Sequence, residues 1–479
     1  MAQVVWRPLG PQDPALSDEQ ALELMARKYR PESLFFERPE SVLVGSFIFL
    51  IIVGAILLTL PISAGDEDID ILEGLFTSTS AVCVTGLTVV DTGKAYSRFG
   101  QVVILVLIQL GGLGIMTFAA LASQFLGRRM SFRSQALIAD TFWQGDAASS
   151  VRRDLKRIIA LTFVIEAIGM LLMYAQLRFE HQTEPALFSA AFHSVSAFCN
   201  AGFSIYSDNL MPFKQSPWIL GVIVGLIVCG GLGHTVLLES LRRLRCRITG
   251  ARTDSVNWSL HSRVVLTTSA VLILGGAASL YFVGLGDRSD TVLQRMLTAV
   301  FQSVTARTAG FNSIDIARVP VAALLFLILL MFVGGSPASC AGGIKTTSAA
   351  VYLAEVRARL RGSKDVVLFG RRVSNEVTAK VTLVIGLSVL WNMIGCMYLS
   401  ISETGTPGVR FEELVFEQIS AFATVGLSAG ITAKLSVAGK AWIILTMFIG
   451  RVGPLTAALA LLPRDPGAIR YPEERIMIG

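Results

Sequence analysis

A short stretch centred on a glycine occurs four times in this chain, and it limits the possible folds more than any other feature. It reads TSAVCVTGLT at 79–88, SAFCNAGFS at 196–204, VTARTAGFN at 304–312 and SAFATVGLS at 420–428. Leu or Phe follows each glycine, then Thr, Ser or Asn. Ala or Thr lies five residues before it. Gly86, Gly202, Gly310 and Gly426 are 116, 108 and 116 residues apart. A period that long is a whole folding unit used four times.

The medium around the units follows from composition. The chain is 53% hydrophobic and only 16% charged, where a soluble domain has about a quarter of its residues charged. One membrane-embedded body is expected rather than several soluble domains. Six scattered cysteines form no CxxC or Cys/His cluster, so neither zinc nor a disulfide framework is indicated. The first 40 residues carry charges and prolines, which is not the pattern of a cleavable signal peptide. They read as a cytoplasmic arm with a short helix near 17–29.

Each unit reads as span, half-helix, loop, span. The first has an uncharged span at 41–61, a half-span at 71–82, the glycine loop, and a second span at 99–127. The second has spans near 158–177 and 215–238 with a half-helix at 185–198. The third has 264–286, 319–344 and 290–305, and the fourth has 381–402, 440–463 and 408–422. The expected fold is an all-α integral membrane protein of eight full transmembrane helices around one central pore. The arm covers 1–40, and the units cover 41–127, 128–245, 246–362 and 363–479. Non-helical backbone at membrane depth is tolerated only beside a water-filled path, so four such loops imply a shared one.

Charge sets the orientation. The connections 128–157, 239–263 and 345–380 hold 7, 6 and 8 basic residues against 3, 2 and 3 acidic ones. The glycine-side segments 64–98, 178–214, 287–318 and 403–440 together hold 16 acidic and 11 basic residues. The positive-inside rule places the connections and both termini in the cytoplasm. The glycine loops then face outward under an acidic mouth that concentrates cations, although Asp66, Glu67, Asp68 and Asp70 also read as a plain solvated loop.

A dehydrated cation needs inward-facing oxygens, and backbone carbonyls supply them where glycine permits left-handed dihedrals. The candidate layers are Val84, Thr85 and Gly86; Asn200, Ala201 and Gly202; Thr308, Ala309 and Gly310; and Thr424, Val425 and Gly426. Their side chains are small and mostly uncharged, which weighs against a calcium site. One such glycine alone would read as a packing position between helices. Four in register, each after a half-span, favour a filter.

With these motifs, the break GGSPASCAGGIKT at 334–346 and the ending YPEERIMIG, the chain resembles the membrane subunit of the Ktr and Trk potassium uptake systems, nearest to KtrB. The resemblance covers nearly the whole length. It implies K⁺ uptake across a bacterial plasma membrane, stimulated by Na⁺. It implies a homodimer seated on a cytosolic KtrA-like nucleotide-binding ring. The basic connections, especially 345–380, offer that ring a surface, and the apolar end of EERIMIG suits a subunit interface. The chain itself is expected to bind no nucleotide, since GxxxxGK[ST] is absent, and nucleic acid is not an expected partner. Only one glycine of the TVGYG of potassium channels remains in each loop, so weaker selection against Na⁺ is expected. A Trk-type subunit, or an HKT-like K⁺/Na⁺ transporter, is the alternative. The similar plant HKT sodium transporters carry Ser at the first filter glycine; Gly86 favours potassium.

Glycine clusters recur 24 to 28 residues beyond each filter glycine: Gly111-Gly112, Gly230-Gly231, Gly334-Gly335 and Gly450. Three of these spans are expected to continue as helix. The third, through Gly334, Gly335, Ser336, Pro337, Ala338, Ser339, Cys340, Ala341, Gly342 and Gly343, holds too many helix breakers. It reads as an intramembrane loop or a passive kink, and the resemblance makes it a gate. Arg451, mid-span in MFIGRVGP, is a functional candidate by depth alone. Its expected partners are the carbonyls of this loop, with pairing to Glu166 or to a neighbouring chain as the structural alternative. Arg307 is expected behind the filter, holding its loop. Lys345 is expected to snorkel to the cytoplasmic surface, and His193 and His234 to serve in packing. No nucleophile–base pair or HExxH is present, and Glu166 is the one carboxylate within a span, so a membrane enzyme or proton-coupled carrier is disfavoured.

Overall fold

The computed structural model describes residues 39–66, 68–114, 148–179, 185–249, 258–285 and 290–461. The expected arm helix at 17–29, most of the 128–157 connection and the C-terminal EERIMIG lie outside the described residues. Single-turn helices aside, the first unit consists of α1 (Pro39–Leu58), α2 (Ile71–Val82) and α3 (Arg98–Gly112). The second has α4 (Ala148–Leu177), α5 (Ala186–Phe198), α6 (Pro217–Leu232) and α7 (His234–Ile248). The third has α8 (Leu260–Phe282), α9 (Val292–Thr305), α10 (Val321–Phe332) and α11 (Thr346–Leu360). The hairpin β1 (Val366–Leu368) and β2 (Arg371–Val373) leads to α12 (Asn375–Ser402), α13 (Phe411–Phe422), α14 (Val437–Val452) and α15 (Pro454–Leu461).

The half-helices α2, α5, α9 and α13 fall where the pattern places them, and local chemistry starts three of them. Glu73, Gln294 and Glu413 each reach back three residues to accept from the main-chain N–H of Asp70, Thr291 and Arg410, at 3.1, 2.9 and 3.0 Å. That return bond satisfies a donor the first turn would otherwise leave open. The second helices of units one, two and four start at Ser97, Ser216 and Ser436, whose hydroxyls accept from the N–H three residues on.

One contact repeats in the first three units. Ser78, Ser194 and Ser303 of the half-helices donate to the carbonyls of Ile51, Glu166 and Ile273 on the preceding helix, at 2.7, 2.6 and 2.8 Å. Three residues beyond each acceptor stands Gly54, Gly169 or Gly276, where a Cβ would strike that same serine. In the fourth unit Gln418 and Gly395 take these places, and Gln418 Nε2 donates to Asn392 Oδ1 at 3.3 Å. The missing side chains let the half-helices sink against their supports.

Two expectations need correction. The second spans of units two and four do not continue as helix: α6 meets α7 at 108° and α14 meets α15 at 96°. The breaks fall at Gly233 and Gly453, with φ of 86° and 92°, and α3 ends likewise before Gly114 at φ 82°. The third span, which is expected to break, is helical to Phe332. The chain is also not purely helical. VVLFGRRV forms an antiparallel hairpin pairing Val366 with Val373, turning at Phe369 and Gly370 with φ of 49° and 75°. Among the described helices, Lys156–Leu177, Leu260–Phe282 and Asn375–Ser402 are long and apolar enough to cross a membrane, and the two bent pairs bring the number up to 5.

Candidate ion pathway

The four glycine loops meet. A Cβ on Gly86 would come inside 3.0 Å of the Ala201 carbonyl oxygen. The same holds for Gly202 against Ala309, Gly310 against Val425, and Gly426 against Thr85. The contacts run from unit one to two, three, four and back to one, closing a ring. No side chain fits between neighbours, and all four glycines have positive φ, from 68° to 92°. Val84, Asn200 and Thr424 are also left-handed, at 57°, 59° and 48°, a conformation that costs a non-glycine residue about 1–3 kcal/mol.

Hydrogen bonds hold this conformation from behind. Ser80 and Ser420 accept through their hydroxyls from the N–H of Gly86 and Gly426, at 3.0 and 3.1 Å. The carbonyls of Ser80, Ser196, Thr305 and Ser420 accept from the N–H of Thr85, Ala201, Ala309 and Val425, at 2.8, 2.7, 2.8 and 2.9 Å. The loop donors are thus turned back toward the half-helices. Leu87, Phe203, Phe311 and Leu427 are at most 1% exposed and anchor the far side of each glycine. The hydroxyls of Thr85 and Thr424 are buried with no partner. Each half-helix enters the ring by its carboxyl end, which carries partial negative charge, and none has a basic residue in its last turn.

The third loop differs. Eight residues separate Ser78, Ser194 and Gln418 from their glycines, but seven separate Ser303 from Gly310. This one-residue deletion removes the left-handed position, so Thr308 has no positive φ. Turned with its amide nitrogen toward the carbonyls of Ala197 and Ile227, at 3.0 and 3.1 Å, Asn200 accepts from Thr308 Oγ1 at 2.9 Å. That bond ties the short loop to its neighbour.

The 334–343 segment packs against the ring and is held by residues of units two, three and four. Gly334 N donates to Ile344 O at 2.9 Å, closing its neck. From unit two, the carbonyl of Gly231 accepts from Ser336 N at 3.0 Å, and His234 donates its main-chain N–H to Ala338 O at 3.1 Å, with Nδ1 3.0 Å from the same oxygen. From unit three, Arg307 Nη2 donates to Gly334 O at 3.2 Å and lies 3.3 Å from Ser269 Oγ. From unit four, Arg451 donates to Cys340 O and also to Gly111 O of unit one. A Cβ on Gly342 would collide with Thr424, so the segment touches the fourth loop directly.

Several roles expected of single residues change here. His234 holds this loop, which its position just past the Gly233 break makes possible. Arg307 secures the 334–343 segment rather than its own loop. Lys345 does not snorkel outward, since its ammonium folds back to Ala341 O. Glu166 does not pair with Arg451. Its carboxylate accepts from Gln109 Nε2 at 3.0 and 3.3 Å. His193 is a packing residue, stacked on Tyr206 with ring centroids 4.9 Å apart.

This architecture has known counterparts. The model of the TrkH family, described as cation transport proteins, matches residues 22–466. The chain belongs to the TrkH family. Among its relatives, the Ktr system potassium uptake protein B of Bacillus subtilis is 37% identical over 92% of this chain and 97% of its own length. The protein of the same name from Vibrio alginolyticus is 37% identical over 91% and 93%. The potassium/sodium uptake protein NtpJ of Enterococcus hirae is 34% identical over 92% and 97%. The fold matches the crystal structure of the potassium transporter TrkH from Vibrio parahaemolyticus, with a TM-score of 0.66 and 18% identity over 88% of this chain and 85% of that one. TrkH-family membership makes the chain a membrane cation transport protein and not a member of an enzyme family.

Proposed function

We propose that this chain is the ion-translocating subunit of a Ktr-type potassium uptake system. The ring of four glycines is the observation that carries the reading. Carbonyls at 84–86, 200–202, 308–310 and 424–426 replace the hydration shell of K⁺, with the hydroxyls of Thr85 and Thr424 as further oxygens. Four helix carboxyl ends favour a cation there. The segment 334–343 with Arg451 forms the gate below, and its fixed positive charge opposes an ion leaving the filter. Eight spans, outward-facing loops and cytoplasmic termini agree with the charge pattern of the loops. The proposed assembly is a homodimer on a cytosolic KtrA-like nucleotide-binding ring, with Na⁺ stimulation; relatives named as proteins B and D of Ktr systems support a multi-component system. A less selective K⁺/Na⁺ reading draws support from the shortened third loop and from the name of the Enterococcus hirae relative. The test is ⁸⁶Rb⁺ flux into liposomes with competing K⁺ or Na⁺, with and without the cytosolic ring. Flux displaced by K⁺ far better than by Na⁺ supports selective uptake. Equal displacement supports the second reading, and absence of flux in both preparations overturns both.

A further inference from the structure

Behind each filter loop stands one buried polar residue, directly before the position of the repeated Ser78 contact: Thr77, His193, Gln302 and Glu417. His193 Nε2 lies 2.9 Å from Ser204 Oγ, and Gln302 Nε2 lies 3.5 Å from Ser313 Oγ. Only the fourth unit uses an acid. Glu417 is 0% exposed. Its Oε1 accepts from Ser428 Oγ and, at 2.6 Å, from Thr432 Oγ1, and the two hydroxyl oxygens are 2.9 Å apart. Its Oε2 is buried with no partner. Arg410, the cation at the start of that half-helix, is taken by Glu412 and Glu413.

A buried carboxylate with one bare oxygen is costly unless something neutralises it. A proton on Oε2 would itself lack an acceptor, and a proton on Oε1 would leave Oε2 without a donor. A cation uses a bare oxygen directly. One negative charge matches a monovalent ion, since calcium sites usually gather more oxygens and charge. Hard carboxylate and hydroxyl oxygens suit an alkali cation, and the full burial of Oε2 suits a small one. We propose that Glu417, Ser428 and Thr432 form a binding site for a small monovalent cation of the Na⁺ class, behind the fourth filter loop and separate from the transport ring. Occupancy fixes Ser428, two residues beyond Gly426, and so stiffens the loop. The proposal rests on the uptake reading in one respect: the ion arrives from the filter mouth.

The test is thermal unfolding of the purified full-length protein in lipid nanodiscs, with NaCl or KCl replacing choline chloride at constant ionic strength. A ligand that binds the folded state raises the midpoint saturably. Na⁺ is expected to do so in the wild type. Glu417→Gln is expected to lose the Na⁺ response and keep the K⁺ response of the ring. Thr432→Val keeps the side-chain shape, removes one oxygen, and is expected to raise the half-saturating Na⁺ concentration at least about tenfold. No difference between Na⁺ and choline in the wild type overturns the site, as does an undiminished Na⁺ response in Glu417→Gln. If Glu417→Gln does not fold, an unchanged half-saturation in Thr432→Val overturns it instead. A Na⁺ response without any K⁺ response or K⁺ flux leaves this site standing and defeats the uptake reading.

Discussion

The side chain of Arg451 donates to the carbonyls of both Cys340 and Gly111, so one guanidinium of the fourth unit joins the broken third span to the first. Both acceptors are main-chain oxygens, and the charge has no carboxylate partner among these contacts. In the proposed gate this charge opposes a cation. Arg451→Ala is expected to raise ⁸⁶Rb⁺ flux per folded protein at least about tenfold, equivalent to roughly 1.4 kcal/mol off the barrier. A purely structural arginine gives a different result: lower folded yield with unchanged flux per folded molecule.

Removal of residues 335–343 deletes the acceptor at Cys340 together with the contacts to Gly231 and His234. Basal flux should rise and depend less on the cytosolic partner. Arg451→Ala added to the deletion should change little, because groups acting as one barrier are non-additive. Fully additive increases would show two separate barriers and refute the coupling of arginine and loop.

Much of this was legible in the sequence, for identifiable reasons. The half-helices were readable because apolar stretches too short to span precede each glycine motif, and the expected 71–82 coincides with Ile71–Val82. The convergence of Gly86, Gly202, Gly310 and Gly426 followed from the internal repeat. The breaks at Gly233 and Gly453 were missed, although GGLG and GRVG each place a further glycine three residues after the first. Hydropathy is unchanged across those positions, and only φ distinguishes a bend from a continuous span. The shortened third loop was hidden because spacing between glycines does not register where a unit gains or loses residues. Counting forward from Ser303 reveals it. The roles of His234 and Lys345 depended on the path of the 334–343 segment, which no periodicity encodes.

Gly86→Ser is expected to lower K⁺ preference by admitting Na⁺. The new Cβ would fall within 3.0 Å of the Ala201 carbonyl, at a residue with φ of 92°. The ring must open locally, at a cost of about 1–3 kcal/mol for the strained backbone. Competition of Na⁺ against ⁸⁶Rb⁺ uptake measures the effect, and wild-type competition in a folded variant would refute the filter assignment.

Two glycines of α6 should respond with opposite signs. At Gly230 a Cβ would collide with the carbonyl of Phe198, the last residue of half-helix α5, and main-chain atoms cannot swing aside. Gly230→Ala should therefore destabilise the protein by about 1–3 kcal/mol, as overpacking does. It should also push α5 toward the ring and disturb the Asn200–Thr308 bond, so the flux ratio of Rb⁺ to Na⁺ falls along with the unfolding midpoint. At Gly221, nine residues earlier on the same helix, a Cβ meets nothing within 4 Å. Gly221→Ala gains helix propensity worth about 0.5–1 kcal/mol and should raise the midpoint with selectivity unchanged. Thermal unfolding and Na⁺ competition on both variants decide the matter. If both alanines behave alike, the half-helix does not rest on the glycine cluster, and the clusters on the second spans serve some purpose other than close approach.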